Sequence, residues 1–347
     1  MNEAIYRLSS YHFELPPELI ATQPAEPRDH SRLLVVNRVE GRLEDRYFYE
    51  LGDYLRPGDS LVLNESRVIP ARLAGEKATG AKVELLLLKR GSEGWEALVR
   101  PGRRLRDGSR VFFNGAAGAW AEIVRELDDG KRLLSFHGVD DEMAFLESRG
   151  QMPLPPYINR PTEITDREDY QTVYARVSGS AAAPTAGLHF TSELLSALIN
   201  QGIGVEKLIL HVGLGTFRPV TAEDIRQHQM HQEYYELSTQ TATRLNQVRR
   251  QGGRVIAVGT TSCRTLETVW SETDGYRPGS GESAIFIHPP QVPRSVDGLL
   301  TNFHLPGSSL LMLVSALAGS ELIHTAYQHA IAQKYRFYSY GDAMLII

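Results

Sequence analysis

Turn signals recur every few residues between positions 82 and 136, and they constrain the fold more than any other feature of the chain. Asp107-Gly108, Asn114-Gly115 and Asp129-Gly130 suit two-residue hairpin loops, because both central residues of a type I′ turn take positive φ. Gly91-Ser92-Glu93-Gly94 marks a fourth reversal. The segments between them, 82–88, 95–99, 110–113, 120–126 and 132–136, are short and rich in branched and aromatic residues, as strands are. Hairpins in series make neighbouring strands antiparallel. They predict a small antiparallel β-barrel of about 80 residues.

The flanks alternate strand and helix signals. Strands are expected at 33–36, 60–63, 205–212, 254–258 and 283–287. The second follows the turn Arg56-Pro57-Gly58-Asp59. Helices are expected at 141–149, closed by Gly150, and at 192–201, where Thr191 is the N-cap and Leu194, Leu195 and Leu198 share a face. Further helices are expected at 241–250, 266–270, 310–317 and 322–334. The prolines of 152–157 exclude helix interior and read as an extended linker. The fold class is therefore α/β. A large α/β domain is built from both ends of the chain, 1–66 and 151–347, with a small antiparallel β-barrel domain, 67–150, inserted into it.

Charge and cysteine usage narrow the function classes. Lys and Arg number 37 against 42 Asp and Glu, a formal charge of 37 − 42 = −5. Non-specific coating of nucleic acid, which depends on many basic contacts, is disfavoured, although a confined basic patch is compatible with this charge. The one cysteine, Cys263, has no partner for a disulfide and too few companions for a thiolate zinc site. A cytoplasmic protein is expected. The first residues carry an acid early and no apolar core before Pro16, unlike a secretory signal. The longest apolar stretch, 310–318, falls short of the roughly 18 residues of a membrane helix. No membrane association is expected, and the chain is read as a monomer.

Several constellations carry chemistry. Residues 182–191, Ala-Ala-Pro-Thr-Ala-Gly-Leu-His-Phe-Thr, place small residues before a helix, where backbone can approach a ligand and N–H groups meet anions. His189 is the only side chain there that titrates near neutrality; the alternative is a tight turn with a packed histidine. Residues 211–217, His-Val-Gly-Leu-Gly-Thr-Phe, follow a strand but lack the third glycine of a dinucleotide motif, so that reading is rejected. Residues 258–264 read as strand, hydroxyl-rich loop and helix, with Arg264 as a charge partner for a carboxylate or phosphate; capping by the hydroxyls is the alternative. His228, His231, Glu233, Asn302 and His304 match no metal-ligand spacing, and no metal is expected. Arg100, Arg103, Arg104, Arg106 and Arg110 form a basic cluster in the barrel segment, and 334–340 interleaves Lys334 and Arg336 with aromatics. Either pattern suits RNA, or a solvated face and a half-buried strand.

Taken in order, six segments resemble the S-adenosylmethionine:tRNA ribosyltransferase-isomerase family of queuosine biosynthesis. They are Asn-Glu-Ser-Arg-Val-Ile-Pro-Ala-Arg-Leu at 64–73, Ala-Pro-Thr-Ala-Gly-Leu-His-Phe at 183–190, 211–217, Gly-Thr-Thr-Ser at 259–262, Thr-Asn-Phe-His-Leu-Pro at 301–306 and Tyr-Arg-Phe-Tyr-Ser-Tyr-Gly-Asp-Ala-Met at 335–344. The resemblance spans essentially the whole chain. Departures are conservative: Asn64-Glu65-Ser66 stands where an Asn-Asp-Thr-like run is common, and Ser309 where Thr is usual. The resemblance implies an α/β domain with a β-barrel domain. It also implies transfer and isomerisation of the ribosyl part of S-adenosylmethionine onto the aminomethyl group of a 7-deazaguanine at the tRNA wobble position. The product is epoxyqueuosine, with adenine and methionine released. S-adenosylmethionine is then a consumed co-substrate, tRNA the partner, and no cofactor stays permanently bound.

On this reading His189 is the first candidate for the catalytic base, with His211 and His304 as orienting or protonating groups. Substrate binding falls to Asn64, Arg67, Arg72, Thr185, Gly187, Gly213, Gly215, Thr260, Thr261, Ser262, Arg264, Asn302, Arg336, Tyr340 and Asp342. The tRNA is expected on Arg100, Arg103, Arg104, Arg106, Arg110 and Lys334. Rival classes are a metal-dependent hydrolase using the histidines and a non-catalytic RNA-binding module.

Overall fold

The structure is a computed structural model, described here for residues 3–115, 118–213 and 219–347. Its larger part is a nine-stranded sheet. In spatial order the strands are Gly279–Ser283, Glu233–Leu237, Gly204–Leu210, Ser60–Asn64, Val255–Val258, Gly298–Asn302, Ala343–Ile346, Arg32–Asn37 and Arg42–Tyr47. The four strands from Gly204–Leu210 to Gly298–Asn302 are mutually parallel.

Alternation along these strands feeds two cores. Leu34, Val36, Val62, Val255, Ala257, Leu299 and Met344 pack on one face, against Leu245, Leu266, Met312 and Ile323 from four helices. Leu33, Val35, Leu61, Leu63, Ile256, Val258 and Leu300 pack on the other, against Phe190, Leu194 and Leu198. Burial on both faces explains why the central strands are apolar runs in the sequence.

The barrel closes from six antiparallel strands, in the order Arg132–His137, Trp95–Arg100, Lys82–Arg90, Arg72–Glu76, Arg110–Phe112 and Trp120–Glu126. Five match the segments expected from the turns. The sixth, Arg72–Glu76, begins at the end of the motif at 64–73 and carries no turn signal of its own. Only Asp129-Gly130 has both residues at positive φ; at Asp107-Gly108 and Asn114-Gly115 the glycine alone takes it. The turns lie where they were expected, but only one has the type I′ backbone.

Other differences have local causes. Arg42–Tyr47 carries five charged or aromatic polar residues and pairs on one side only, as edge strands do. The strand expected at 283–287 lies earlier, at Gly279–Ser283, a glycine-rich edge held by its ladder with Glu233–Leu237. The helix expected from 266 begins at Thr260, straight after Gly259. The 260–264 hydroxyl-rich segment is therefore its first turn, not a loop. Thr265 and Thr268 donate back to the carbonyls of Thr261 and Arg264 at 3.0 and 2.8 Å. Burial of that helix outweighs the poor propensity of its threonines.

Helix Glu142–Arg149 seals the barrel, capped by Asp141, whose side chain accepts from Ala144 N. Its C-cap, Gly150, lies against the chain that enters the barrel: a Cβ there would sit 1.8 Å from Pro70 O and 2.7 Å from Leu146 O. No flexible side chain is available to yield. Gly150→Ala should therefore destabilise the protein by about 1–3 kcal/mol, the usual cost of overpacking. Urea denaturation checks this, and an unchanged midpoint would show that the backbone there moves freely.

Candidate active site

Asn64, Leu210, Val258 and Asn302 are the last residues of the four parallel strands, so the chain turns at one edge of the sheet four times. Ligands of open α/β sheets bind outside such carboxyl ends. A cleft of about 70 Å³ opens at this edge. Ala183, Pro184, Thr185 and Ala186 form one wall; Gly259, Thr260 and Thr261 another; Thr301, Asn302, Phe303, His304 and Leu305 a third. Tyr157, Tyr338 and Ser339 close it, with Tyr157 Oη and Ser339 Oγ 2.5 Å apart. Among the described residues no Asp, Glu, Lys or Arg lines it.

Two helices begin at the cleft. Thr260 and Thr261 open Thr260–Val269, and Ser308 is the N-cap of Ser309–Ala318, its side chain accepting from Leu311 N. Their early N–H groups and the helix dipoles favour an anionic group in a cavity that has no cationic side chain among the described residues.

His189 stands behind this wall rather than in it. Its ring stacks on Phe48 with centroids 5.0 Å apart. Asn302 Nδ2 lies 3.0 Å from Nε2, and Ser31 Oγ lies 2.7 Å from Nδ1. An amide nitrogen only donates, so Nε2 accepts and the ring proton belongs on Nδ1, donating to Ser31. Asn302 Oδ1 in turn accepts from Thr185 Oγ1 at 2.9 Å. Both ring nitrogens are engaged, and the relay presents Asn302 and Thr185, not the imidazole, to the cleft. Burial, with the charges of Arg336 and Arg28 adding to it, pushes the His189 pKa down to about 3. His189 thus lies packed behind the cleft wall, one hydrogen bond away from it through Asn302.

His304 does line the cleft. Its Nε2 lies 3.0 Å from Thr301 Oγ1, its backbone N–H donates to Tyr327 Oη, and burial lowers its pKa to about 3. His211 faces a different hollow, between barrel and sheet, where it stacks on Tyr234. Burial lowers its pKa, and Glu236 opposes that shift.

The remaining candidates divide. Thr185, Thr260, Thr261 and Asn302 line the cleft. Asn64 does not: its amide bonds both backbone groups of Leu210 and reaches Thr261 Oγ1 at 3.4 Å, tying strand ends together. Arg264 is turned away. It is 3% exposed and forms a buried ion pair with Glu233, so it offers no charge to a ligand in the cleft. Ser262 is buried beside it. Gly187 is a point of close approach, since a Cβ would meet Tyr174 Oη at 1.9 Å. Gly213 N donates to Glu233 Oε1 at 2.9 Å, and Gly215 lies outside the described residues. Arg336 contacts Asp342, which also accepts from the backbone of Arg32; Tyr340 donates to Asp166. Arg67 is half-buried in the short strand Ser66–Val68, and Arg72 lies on the barrel beside Glu84. Tyr157, Ser308 and Ser31 were not foreseen; their signals, a linker tyrosine and two isolated serines, exist only in three dimensions.

Arg100, Arg103, Arg104, Arg106 and Arg110 are all exposed on the barrel, Arg110 stacking on Trp120 at 4.4 Å. Lys334 is exposed after helix Ser320–Ala332. Cys263 is buried, and burial pushes its thiol pKa up, away from nucleophile chemistry. No group of three or more His, Cys, Asp or Glu among the described residues could hold a metal ion.

The family described as "Queuosine biosynthesis protein" matches residues 8–346. The chain belongs to this family. A relative from Syntrophomonas wolfei subsp. wolfei, named S-adenosylmethionine:tRNA ribosyltransferase-isomerase, is 57% identical over 100% of this chain and 99% of its own. One of the same name from Symbiobacterium thermophilum is 56% identical over 98% and 100%. A crystal structure of S-adenosylmethionine tRNA ribosyltransferase from Thermotoga maritima is 38% identical, with a TM-score of 0.56, covering 97% of this chain and 100% of that one. For this member of the queuosine biosynthesis family the match takes in sheet, barrel and cleft together. The names of these relatives describe enzymes that act on S-adenosylmethionine and tRNA.

The two buried histidines set an acid limit. From an ordinary value of 6.5, both fall to about 3 in the folded protein. The unfolded chain therefore binds protons in this window and the folded one does not. The stabilisation is full above about pH 6.5 and declines as pH falls toward 3, by up to about 1.4 kcal/mol per pH unit for each group. His189→Asn should flatten the dependence of unfolding free energy on pH between 6 and 4 by about one proton. Denaturation at a series of pH values reads this; an unaltered slope would mean that His189 titrates normally.

Proposed function

We propose that this chain transfers and isomerises the ribosyl moiety of S-adenosylmethionine onto the aminomethyl group of 7-aminomethyl-7-deazaguanine at the tRNA wobble position. The products are epoxyqueuosine, adenine and methionine. One observation carries the reading: segments from four separate motifs, 183–186, 259–261, 301–305 and 338–339, line one uncharged cleft.

The methionine carboxylate is met by the N-termini of Thr260–Val269 and Ser309–Ala318, in place of Arg264. Asn302 and Thr185, aligned by His189, offer an amide and a hydroxyl to the substrate. The sulfonium acidifies the hydrogens on ribose C5′, and His304 takes one of them. With its proton on Nε2, donating to Thr301, Nδ1 carries the lone pair. Burial keeps His304 neutral, so Nδ1 has a lone pair to offer although the same burial weakens it as a base, and its imidazolium readily hands the proton to departing adenine. His211, outside the cleft, is assigned to orienting the nucleotide.

We assign residues 1–66 and 151–347 to the catalytic α/β domain and 67–150 to the barrel domain; apart from one bridge between Arg72 and Gln151, the six barrel strands pair only with one another. The arginines from Arg100 to Arg110, with Lys334, are the proposed basic surface for tRNA. No single described helix is long and apolar enough to cross a membrane. The enzyme is proposed to act as a monomer in the cytoplasm, where its tRNA partner resides.

Purified protein should release adenine from S-adenosylmethionine only when tRNA carrying the 7-deazaguanine precursor is present. His304→Gln should slow that release by roughly 10²–10⁴, the usual cost of losing a general acid–base group, with S-adenosylmethionine affinity within a few-fold. Near-normal release by a folded His304→Gln protein would assign proton transfer to another group. No adenine release by the unmodified protein would remove the functional reading.

A further inference from the structure

Two larger hollows flank the barrel strand Trp95–Arg100. The first, about 440 Å³, lies between barrel and sheet and shares Val212 with the catalytic cleft. The second, about 840 Å³, lies between barrel and proline linker and shares Leu98 with the first. Cleft, barrel–sheet hollow and barrel–linker hollow therefore abut in that order.

Their electrostatics differ in kind. In the barrel–sheet hollow the carboxylates of Glu96, Asp129, Glu233 and Glu282 face Lys89, Arg90 and Lys131. Lys89 pairs with Glu282 at 2.6 Å, Arg90 with Glu142 at 2.7 Å and Lys131 with Glu96 at 3.2 Å, and Glu233 pairs with Arg264, so both signs are engaged there and the lining carboxylates outnumber the lining cations by four to three. This hollow also holds the stacked pair His211 and Tyr234, with ring centroids 5.7 Å apart and planes within 21°. The barrel–linker hollow has Arg72, Arg100 and Arg160 against one carboxylate, Glu84. Arg160 is held by Asp166 at 2.6 Å. Arg72 makes only long contacts, 3.4 Å to Glu84 and 3.4 Å to Leu154 O, and its Nε has no partner. Arg100 is exposed and forms no side-chain hydrogen bond or ion pair among the described residues.

We propose that these two hollows form one seat for a single-stranded RNA segment. The aminomethyl-bearing base occupies the barrel–sheet hollow on the His211–Tyr234 stack, with its ammonium among the carboxylates. The flanking phosphates lie on Arg100 and Arg72. The path past Val212 then brings the amine to the catalytic cleft. An extended chain of phosphates needs available cations, which only the second hollow offers; a cationic base needs carboxylates and an aromatic face, which only the first offers. Arg103, Arg104 and Arg106 act outside this seat, attracting RNA at longer range. The inference rests on the function proposed above for its choice of RNA.

A labelled anticodon stem-loop bound to the full chain tests it without requiring turnover. Arg100→Glu should weaken binding about tenfold and lower the slope of log affinity against log salt by about one. Leu98→Trp, which narrows the junction of the hollows, should weaken RNA binding similarly, with S-adenosylmethionine affinity and melting temperature unchanged. Unaltered RNA affinity in folded Arg100→Glu and Leu98→Trp proteins overturns the seat. So does affinity that responds only to the triple change Arg103→Ala, Arg104→Ala and Arg106→Ala. If the unmodified protein released no adenine yet lost RNA binding in both single variants, the seat would stand and the catalytic reading would fall.

Discussion

Asn302 sits where a parallel strand ends, and its side-chain amide joins two layers of the fold. It accepts from Thr185 at the cleft and donates to His189 behind it, and His189 leads on to Ser31. Three of these four groups are buried, so a broken link leaves a polar atom without water, a cost of about 1–3 kcal/mol. The wall of the cleft is thus held by a relay whose members have no cheaper arrangement. Phe48 stacked on His189 closes the back of it and fixes the ring plane.

The sheet explains why such a relay can exist. Parallel strands buried on both faces end together, and each carboxyl end releases a loop into the same region. Asn64 reinforces this by bonding the neighbouring strand at Leu210 and touching Thr261 at the start of the next helix. The result is a cavity whose electrostatics come from backbone ends and neutral side chains. Charged groups of the same segments are spent elsewhere: Arg264 on Glu233 and Arg336 on Asp342. A buried pair such as Arg264–Glu233 cannot release its arginine to a ligand without leaving Glu233 as an uncompensated buried charge.

Much of the architecture was legible because turn chemistry is local. Glycine at positive φ in the barrel turns, and Thr191 and Asp141 as helix caps, act over three or four residues and can be read in order. The strands Arg72–Glu76, Arg42–Tyr47 and Gly279–Ser283 were missed or misplaced for the opposite reason. Their identity comes from the ladder beside them, which propensity does not record. In the site, Thr185, Thr260, Thr261, Asn302 and His304, all candidates from the sequence, meet in one cleft. That His189 packs behind it and Arg264 pairs with Glu233 could not be read, because burial and pairing are invisible in a string of residues.

By itself the sequence determined the α/β class, the inserted barrel, the helix caps and the set of segments that converge, since each depends on spacing or short-range hydrogen bonding. Tertiary structure alone decided which polar groups face the cleft and which are consumed behind it. That choice depends on desolvation and on partners more than a hundred residues away, such as Thr185 with Asn302 and Asn64 with Leu210. A histidine keeps the same chemistry in either place; only its surroundings determine whether it titrates, donates or packs.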